Sequence, residues 1–428
     1  MSNVYNILKE RKFVEQVTDE ALIEEKLSQE KVSCYIGFDP TARSVHIGSL
    51  VPIMAMMHMQ RHFHRPIALV GGGTALIGDP SGKTEMRQLL GTEQINSNAS
   101  ALQKQLSRYL DFSDGKAIML NNADWLTQIK YIDFLRDIGK HFSVNKMLTA
   151  ETYRQRMEKG LNFIEFNYML LQAFDFLHLF QNNDCLLQMG GNDQWGNILA
   201  GTDLIRRVTG KNAFGVTFPL LVTANGHKMG KTEKGAIWLD AELTSPYEYY
   251  QYWVNIDDAD LKKFLLLFTF LPTEEIKAID KLRDSELNVA KSILAFETTK
   301  ITHGEAMAIS AWQASATAFG TKSVTASLLP SSSIPRGETT KDLSAIPSIT
   351  KTLAQISEGI PAYKLFVETS LCGSASEARR LVAQSGGYIN EHLVASFDEI
   401  ININHVNPDK EIVLRKGKKS YGIVKIIG

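Results

Sequence analysis

The sequence predicts an α/β protein: a doubly wound parallel sheet first, then a helical domain, then a small mixed α+β module. Three observations carry that expectation. Short apolar runs closed by glycine or aspartate turns alternate with helical stretches over the first half. From 246 to about 319 the apolar periodicity is almost wholly helical. Between 321 and 350 serine, threonine and proline crowd together before a mixed pattern resumes.

Ser33–Phe38 is an apolar run ending at Asp39-Pro40, and over 50–59 apolar residues recur at helical spacing, which reads as strand, loop, helix. Ile67-Ala68-Leu69-Val70, closed by Gly71, Gly72 and Gly73, has the unbroken apolarity of a strand covered on both faces. A third strand is expected at 185–189, where Gly190-Gly191-Asn192-Asp193 turns into a helix over 195–208. The helical stretch that follows has hardly any glycine before Gly304. Ser331-Ser332-Ser333 and the nearby prolines mark a linker, so domains are expected over 1–222, 223–320 and 361–428, with 321–360 connecting the last two. In the third, 371–384 reads as a helix, Ser374 and Glu377 stand at capping-box spacing, and short strands fall at 388–390 and 412–414.

Composition narrows the function classes. Charged residues make up 22% and apolar ones 44%, so an extensively disordered chain is excluded. The start, MSNVYNILKERKFVEQ, has no apolar core behind basic residues, and no later stretch approaches the roughly twenty apolar residues of a bilayer span, so a cytoplasmic protein without membrane contact is expected. Cys34, Cys185 and Cys372 are odd in number and far apart, which suggests neither a disulfide framework nor a zinc site, and no metal ligand set is expected. A formal charge of -1 excludes a uniformly basic nucleic-acid binder, so any RNA contact must be regional.

Two familiar nucleotide signatures fail. Gly82-Lys83-Thr84 resembles the end of a P-loop, but Ile77 occupies its first glycine position, and Leu76 breaks the dinucleotide pattern begun by Gly71 and Gly73. A better candidate is the strand-to-helix loop through Thr41, His46, Gly48 and Ser49. Free amides at a helix start favour an anion, and a threonine and a histidine add donors there. Far downstream, Lys228-Met229-Gly230-Lys231-Thr232 has the make-up of a cationic clamp for phosphate charge. Taken singly, the first reads more readily as a helix cap and the second as a solvated basic turn.

In their order and separation, these two elements resemble the HIGH and KMSKS pair of class I aminoacyl-tRNA synthetases. GFDPTA, GDPSGK, GKHFSVN, EFNYMLLQAFDF, GGNDQWGNI and SPYEYYQYW are similar to segments of bacterial tyrosyl-tRNA synthetases, and the likeness runs over almost the whole chain. It implies a Rossmann-like doubly wound catalytic domain, an α-helical domain and an S4-like RNA-binding domain. It further implies that L-tyrosine is activated with ATP, a substrate accompanied by Mg2+, and passed to tRNA(Tyr) by a homodimer whose interface includes the GKHFSVN region.

By the same resemblance the phenol is expected at Tyr35 and Asp175, and the amino group at Asp79, Tyr168 and Gln172. The last three helical residues of that set, Tyr168, Gln172 and Asp175, have spacings that put them on one helix face. ATP is expected at Gly37, Asp39, His46, Gly48, Ser49, Gln188, Asp193, Gln194 and Lys231, although Asp193 is also readable as a cap for the helix at Trp195. Thr41, His46, Lys83, Arg87, Lys228, Lys231 and Thr232 are expected to grip the phosphates as catalytic residues. Arg379, Arg380, Arg415, Lys416, Lys418 and Lys419 are expected to meet RNA phosphates. The sequence departs from the family at Ser49, where His or Asn is usual, and at Ile36, where many relatives carry Cys; both bear on ATP affinity. A tryptophan-specific relative and a catalytically silent RNA-binding protein on the same scaffold are the rival readings.

Overall fold

The computed structural model describes residues 3–81, 90–157, 160–224, 226, 229–232, 235–283, 285–319, 324–336, 345–417 and 420–428, with the backbone alone at 152, 155, 156, 231, 232 and 285. The chain divides into two compact units. The first comprises Met1–Lys231, Ala236–Asp240 and Asp257–Leu282; the remainder forms the second.

The first unit is built on a six-stranded sheet. Its strands are β1 (Gln16–Val17), β2 (Ser33–Phe38), β3 (Arg65–Val70), β4 (Ile118–Asn121), β5 (Cys185–Gly191) and β6 (Phe214–Phe218), in the spatial order β1-β6-β5-β2-β3-β4. All neighbours are parallel except the short edge strand β1, which runs antiparallel to β6. Such a sheet needs cover on both faces, and the sequence supplies it. Ile53, Met54, Ala55 and Met56 follow one another in the Leu50–Arg61 helix and are all fully buried, so that helix is enclosed on every side. The Phe163–Asn183 helix starts with an Asn162/Glu165 capping box, ends at Asp184 in the left-handed region, and packs along the Trp195–Thr209 helix. A core around Tyr35, Ile67, Leu69, Ala173, Phe176 and Leu204 fills the space between those helices and the sheet.

Parallel strands all end at one edge. Here that edge gathers Asp39 after β2, Gly71 to Thr74 after β3, Asn122 after β4 and Asn192 to Gln194 after β5. The chain runs outward from β2 through β3 to β4, then returns to place β5 on the other side of β2. A crevice opens at such a reversal of strand order, which is where doubly wound sheets take ligands.

The second unit contains the helices Pro246–Val254, Ser285–His303 and Glu305–Phe319, then the shorter helices Leu353–Ser357, Ala362–Glu368 and Ala375–Ala383 with a five-stranded sheet. In spatial order its strands are His392–Leu393, Gly387–Ile389, Glu411–Lys416, Ser420–Ile427 and Ser348–Thr352; only the last pair is parallel. Ser348–Thr352 falls inside the stretch expected as linker. It is an edge strand with every residue at least partly exposed, so its sequence carries little apolar signal. Ile346 beside it is buried with Tyr247, Ala314 and Ile423. The helix expected over 371–384 begins at Ala375, because the Ser374 side chain accepts the Glu377 N–H and caps it there. No described helix is long and apolar enough to cross a membrane.

Candidate active site

Tyr35 is the third residue of β2, 1% exposed, and its register partner on β5 is Gln188, also buried. The Tyr35 hydroxyl and the Gln188 Oε1 both lack a hydrogen-bond partner among the described residues. Buried polar atoms are nearly always bonded, so two such atoms on paired strands mark a slot shaped for a polar guest. Asp175, on the Phe163–Asn183 helix, is near enough for its charge to oppose ionisation of the Tyr35 phenol, adding to the larger effect of burial. Its carboxylate accepts Asn122 Nδ2 at 2.8 Å and Trp125 Nε1 at 2.7 Å. Burial pushes its pKa up to about 7, against the pull of those two donors, and Asp39 adds to the rise.

The floor continues towards the sheet edge. Asn122 also donates to Thr74 Oγ1 at 3.1 Å, Thr74 donates to Asp39 Oδ1 at 2.8 Å, and the Tyr168 hydroxyl donates to Asp39 Oδ2 at 3.1 Å. Gly71 is required by this network: a Cβ there would lie 2.1 Å from Asp39 Oδ1 and 2.5 Å from Thr74 Oγ1. A second cluster begins at Asp79, which accepts the Ser81 N–H at 2.8 Å and Gln194 Nε2 at 2.8 Å. Asn197 then donates to Gln194 Oε1 at 3.0 Å and to Gln172 Oε1 at 3.1 Å. The first cluster joins Asp39, Tyr168 and Asp175 of the sequence-derived set through Thr74, Asn122 and Trp125, and the second joins Asp79, Gln172 and Gln194 through Asn197; sequence reasoning had singled out none of these four connecting residues. NNADWL carries no periodicity that marks Asn122 or Trp125; only the end of β4 brings them over Asp175.

The helix following Asp193 has Gln194, not Asp193, as its N-cap residue. Gly37 is exposed on β2, with open space where a side chain would stand.

The His46 turn and the Gly230 segment also meet. His46 precedes the Ile47–Ser49 turn, and its Nδ1 accepts the Gly48 N–H at 3.0 Å, which leaves Nε2 to carry the proton in the neutral ring. Ile47 N–H donates to the Ile237 carbonyl at 2.8 Å, and Ile237 N–H donates to the Gly230 carbonyl at 3.0 Å. Gly230 has φ 85° and stands against Ile47, with its Cβ direction 3.6 Å from His46 Nδ1. Stretches nearly two hundred residues apart thus form one backbone arrangement. Thr41 is exposed at the turn after β2, and Ser49 is half-buried at the start of the next helix. Lys83, Arg87, Lys228, Lys418 and Lys419 lie outside the described residues, as do the side chains of Lys231 and Thr232.

In the second unit Arg379 and Arg380 are exposed, with Arg379 over the rings of Tyr363 and Phe397. Arg415 stacks on Tyr388 and pairs with Glu391 at 2.9 Å, while Lys416 pairs with Glu377. A separate cavity of about 950 Å³ is lined by His141, Phe142, Lys146, Asp203, Arg206 and Arg207 among others; of the expected site residues only Asp193 reaches its wall.

Comparison with known proteins bears on all of this. The profile of the family described as tRNA synthetases class I (W and Y) matches residues 27–320, and that of the tyrosine–tRNA ligase SYY-like C-terminal domain matches 338–424. The chain is 65% identical over 426 residues to a tyrosine–tRNA ligase of Syntrophus aciditrophicus, covering 100% of this chain and 99% of the relative. It is 57% identical to one of Desulfatibacillum aliphaticivorans, covering 98% and 97%. Among solved structures, a C-terminally truncated mitochondrial tyrosyl-tRNA synthetase of Aspergillus nidulans superposes with a TM-score of 0.66 at 30% identity, over 73% of this chain and 93% of that one. Likeness of this degree, end to end, means that the chain belongs to the tyrosine–tRNA ligases, within the class I tRNA synthetases (W and Y).

Proposed function

We propose that the chain activates L-tyrosine with ATP, releasing pyrophosphate, and esterifies the amino acid to the 3′ end of tRNA(Tyr). The observation that carries this reading is the buried slot between Tyr35 and Asp175. It ends in acceptor and donor groups suited to a phenol.

Tyrosine's carboxylate is ionised at neutral pH and needs no general base to attack the α-phosphorus. The α–β bridging bond breaks, pyrophosphate leaves with the electron pair, and tyrosyl-adenylate remains. A hydroxyl of the terminal tRNA ribose then attacks the acyl carbon and AMP departs. Orientation and charge stabilisation are the protein's part. Asp79, Tyr168 and Gln172 are proposed to hold the ammonium group. Gly37, Asp39, Gly48, Ser49, Gln188, Asp193 and Gln194 would receive the nucleoside, and Thr41, His46, Lys83, Arg87, Lys228, Lys231 and Thr232 the phosphates of ATP, which enters as its magnesium complex. Tyrosine-dependent ATP–pyrophosphate exchange tests the reading, with tryptophan as the control. Exchange driven by tryptophan and not by tyrosine would refute it.

For tRNA, Arg379, Arg380, Arg415, Lys416, Lys418 and Lys419 are proposed as phosphate contacts. Arg379 and Arg380 are the most available, since Arg415 and Lys416 already share their charge with glutamates. We place the reaction in the cytoplasm, on a homodimer. The support for a dimer is a set of exposed large apolar residues, Val144 within the GKHFSVN segment and Tyr131, Ile132, Met157 and Phe163 on either side of it in sequence. Ile132, 71% exposed, has no folding reason to be apolar. Ile132→Asp is expected to raise the dimer dissociation constant by about tenfold or more. Sedimentation across a concentration series would show it, and an unchanged dimer would exclude this face.

A further inference from the structure

Ala224 and Val222 lead into the loop that bears Lys228 and Lys231, and both are held from one place. Asp260, 3% exposed, stands at the start of the Leu261–Phe268 helix, and its Oδ2 accepts the Ala224 N–H at 2.8 Å. Its Oδ1 pairs at 2.7 Å with Nζ of Lys263, one turn along. The same ammonium donates to the Val222 carbonyl at 3.0 Å. An aspartate at a helix start ordinarily bonds that helix's own amides, yet Asp260 makes no capping bond to its helix and reaches across to another segment instead. Burying a carboxylate is costly unless it is bonded, and here both oxygens are committed to keeping 222–224 in place.

The other end of the loop is fixed as well. Met229 N–H donates to the Leu221 carbonyl at 3.0 Å, which closes the base, and Gly230 continues into the contact with the His46 turn. We infer that Asp260 and Lys263 are a positioning pair, which holds the 222–224 base from which Met229 and Gly230 reach the His46 turn and so governs adenylate formation without touching a substrate. The inference rests on the reaction proposed above. It deepens that reading by assigning the loop a support from outside the nucleotide site. Both partners hold main-chain atoms, so the support does not depend on the loop's own side chains.

The test is single-turnover adenylate formation with the full-length chain. Lys263 is 36% exposed in its side chain, so Lys263→Met should fold, and it removes both the ion pair and the bond to Val222. The rate constant is expected to fall about tenfold, with KM for tyrosine within about twofold of wild type. Lys263→Arg, which keeps a donor to both acceptors, should recover most of the loss. Asp260→Asn, which keeps an acceptor for Ala224 but loses the charge, should fall between wild type and Lys263→Met. Hydrogen exchange at the Ala224 amide should quicken in Lys263→Met. An unchanged rate in Lys263→Met, or a slowing matched by an equal loss of tyrosine affinity, overturns the inference and leaves the proposed reaction standing. Absence of tyrosine-dependent exchange in the wild type would instead remove the reaction, and the inference with it.

Discussion

Asp175→Asn is expected to lower kcat/KM for tyrosine by about a hundredfold in pyrophosphate exchange, because a hydrogen bond to a buried charged group contributes roughly 1.5–3 kcal/mol and 1.4 kcal/mol is a factor of ten. Phenylalanine, which has no hydroxyl to lose, should be handled about as before, so selectivity for tyrosine should narrow by nearly the same factor. Discrimination between these two amino acids by tyrosyl-tRNA synthetases is the standard instance of a site that rejects a ligand leaving its polar groups unpaired. Exchange assays with both amino acids decide the matter, and equal losses for the two would show that Asp175 supports the fold rather than the phenol.

The same carboxyl predicts a pH dependence. With its pKa raised from 3.8 to about 7, the ionised form that accepts a phenol is present above about pH 7 and lost as pH falls through it. The dissociation constant for tyrosine scales inversely with the competent fraction, so it should rise about tenfold from pH 8 to pH 6. Stability of the empty protein follows the opposite course. Between the unfolded value near 4 and the folded value near 7, the native state keeps a proton that the unfolded chain has released, so this contribution declines as pH rises across that window. Asp175→Asn should flatten both trends, and a tyrosine affinity that stays level from pH 6 to 8 would contradict the assignment.

Gly230→Ala should have an effect of similar size on a different step. The residue sits at φ 85°, where a side chain costs an L-residue roughly 1–2 kcal/mol. The added Cβ would also lie 2.6 Å from Ile47 Cγ2 and 3.4 Å from Gly48 N. Ile47 is fully buried and β-branched, so it cannot turn aside. The loop must therefore shift away from the His46 turn, and the rate constant for adenylate formation is expected to fall about a hundredfold, as misplacement by about an ångström does elsewhere. Tyrosine binding should change little, because the phenol slot is built from β2, the end of β4 and the Phe163–Asn183 helix. Rapid-quench measurement of adenylate would settle it, and a rate within twofold of wild type would exclude the close contact.

What could be read in advance followed physical rules. β2, β3 and β5 are buried runs closed by turn residues, and a strand covered on both faces has little choice but to look like that. β1 has two residues, and β4, Ile118–Asn121, is only half-buried throughout, so neither leaves a pattern to find. β6 is buried at all five positions, yet Gly215 and Thr217 interrupt its apolar run. The site divides in the same way. Residues within a recognisable segment, such as Tyr35 and Asp175, could be placed by resemblance, and helical spacing alone aligned Tyr168, Gln172 and Asp175. Asn122 and Thr74 acquire their roles only when β3 and β4 end side by side, a consequence of sheet order that no local window contains. Asp260 and Lys263 are further removed still, since their partners are main-chain atoms 36 and 41 residues upstream.

The strand order in the second unit has a bearing on biosynthesis. Ser420–Ile427 is not an edge; it is inserted between Glu411–Lys416 and Ser348–Thr352. Until those residues emerge from the ribosome, the earlier strands have no neighbour to bridge them and Ile346 has no Ile423 to cover it. A chain interrupted before Ser420 would therefore leave Glu411–Lys416 and Ser348–Thr352 unbridged and Ile346 uncovered, an open tail for proteases to find.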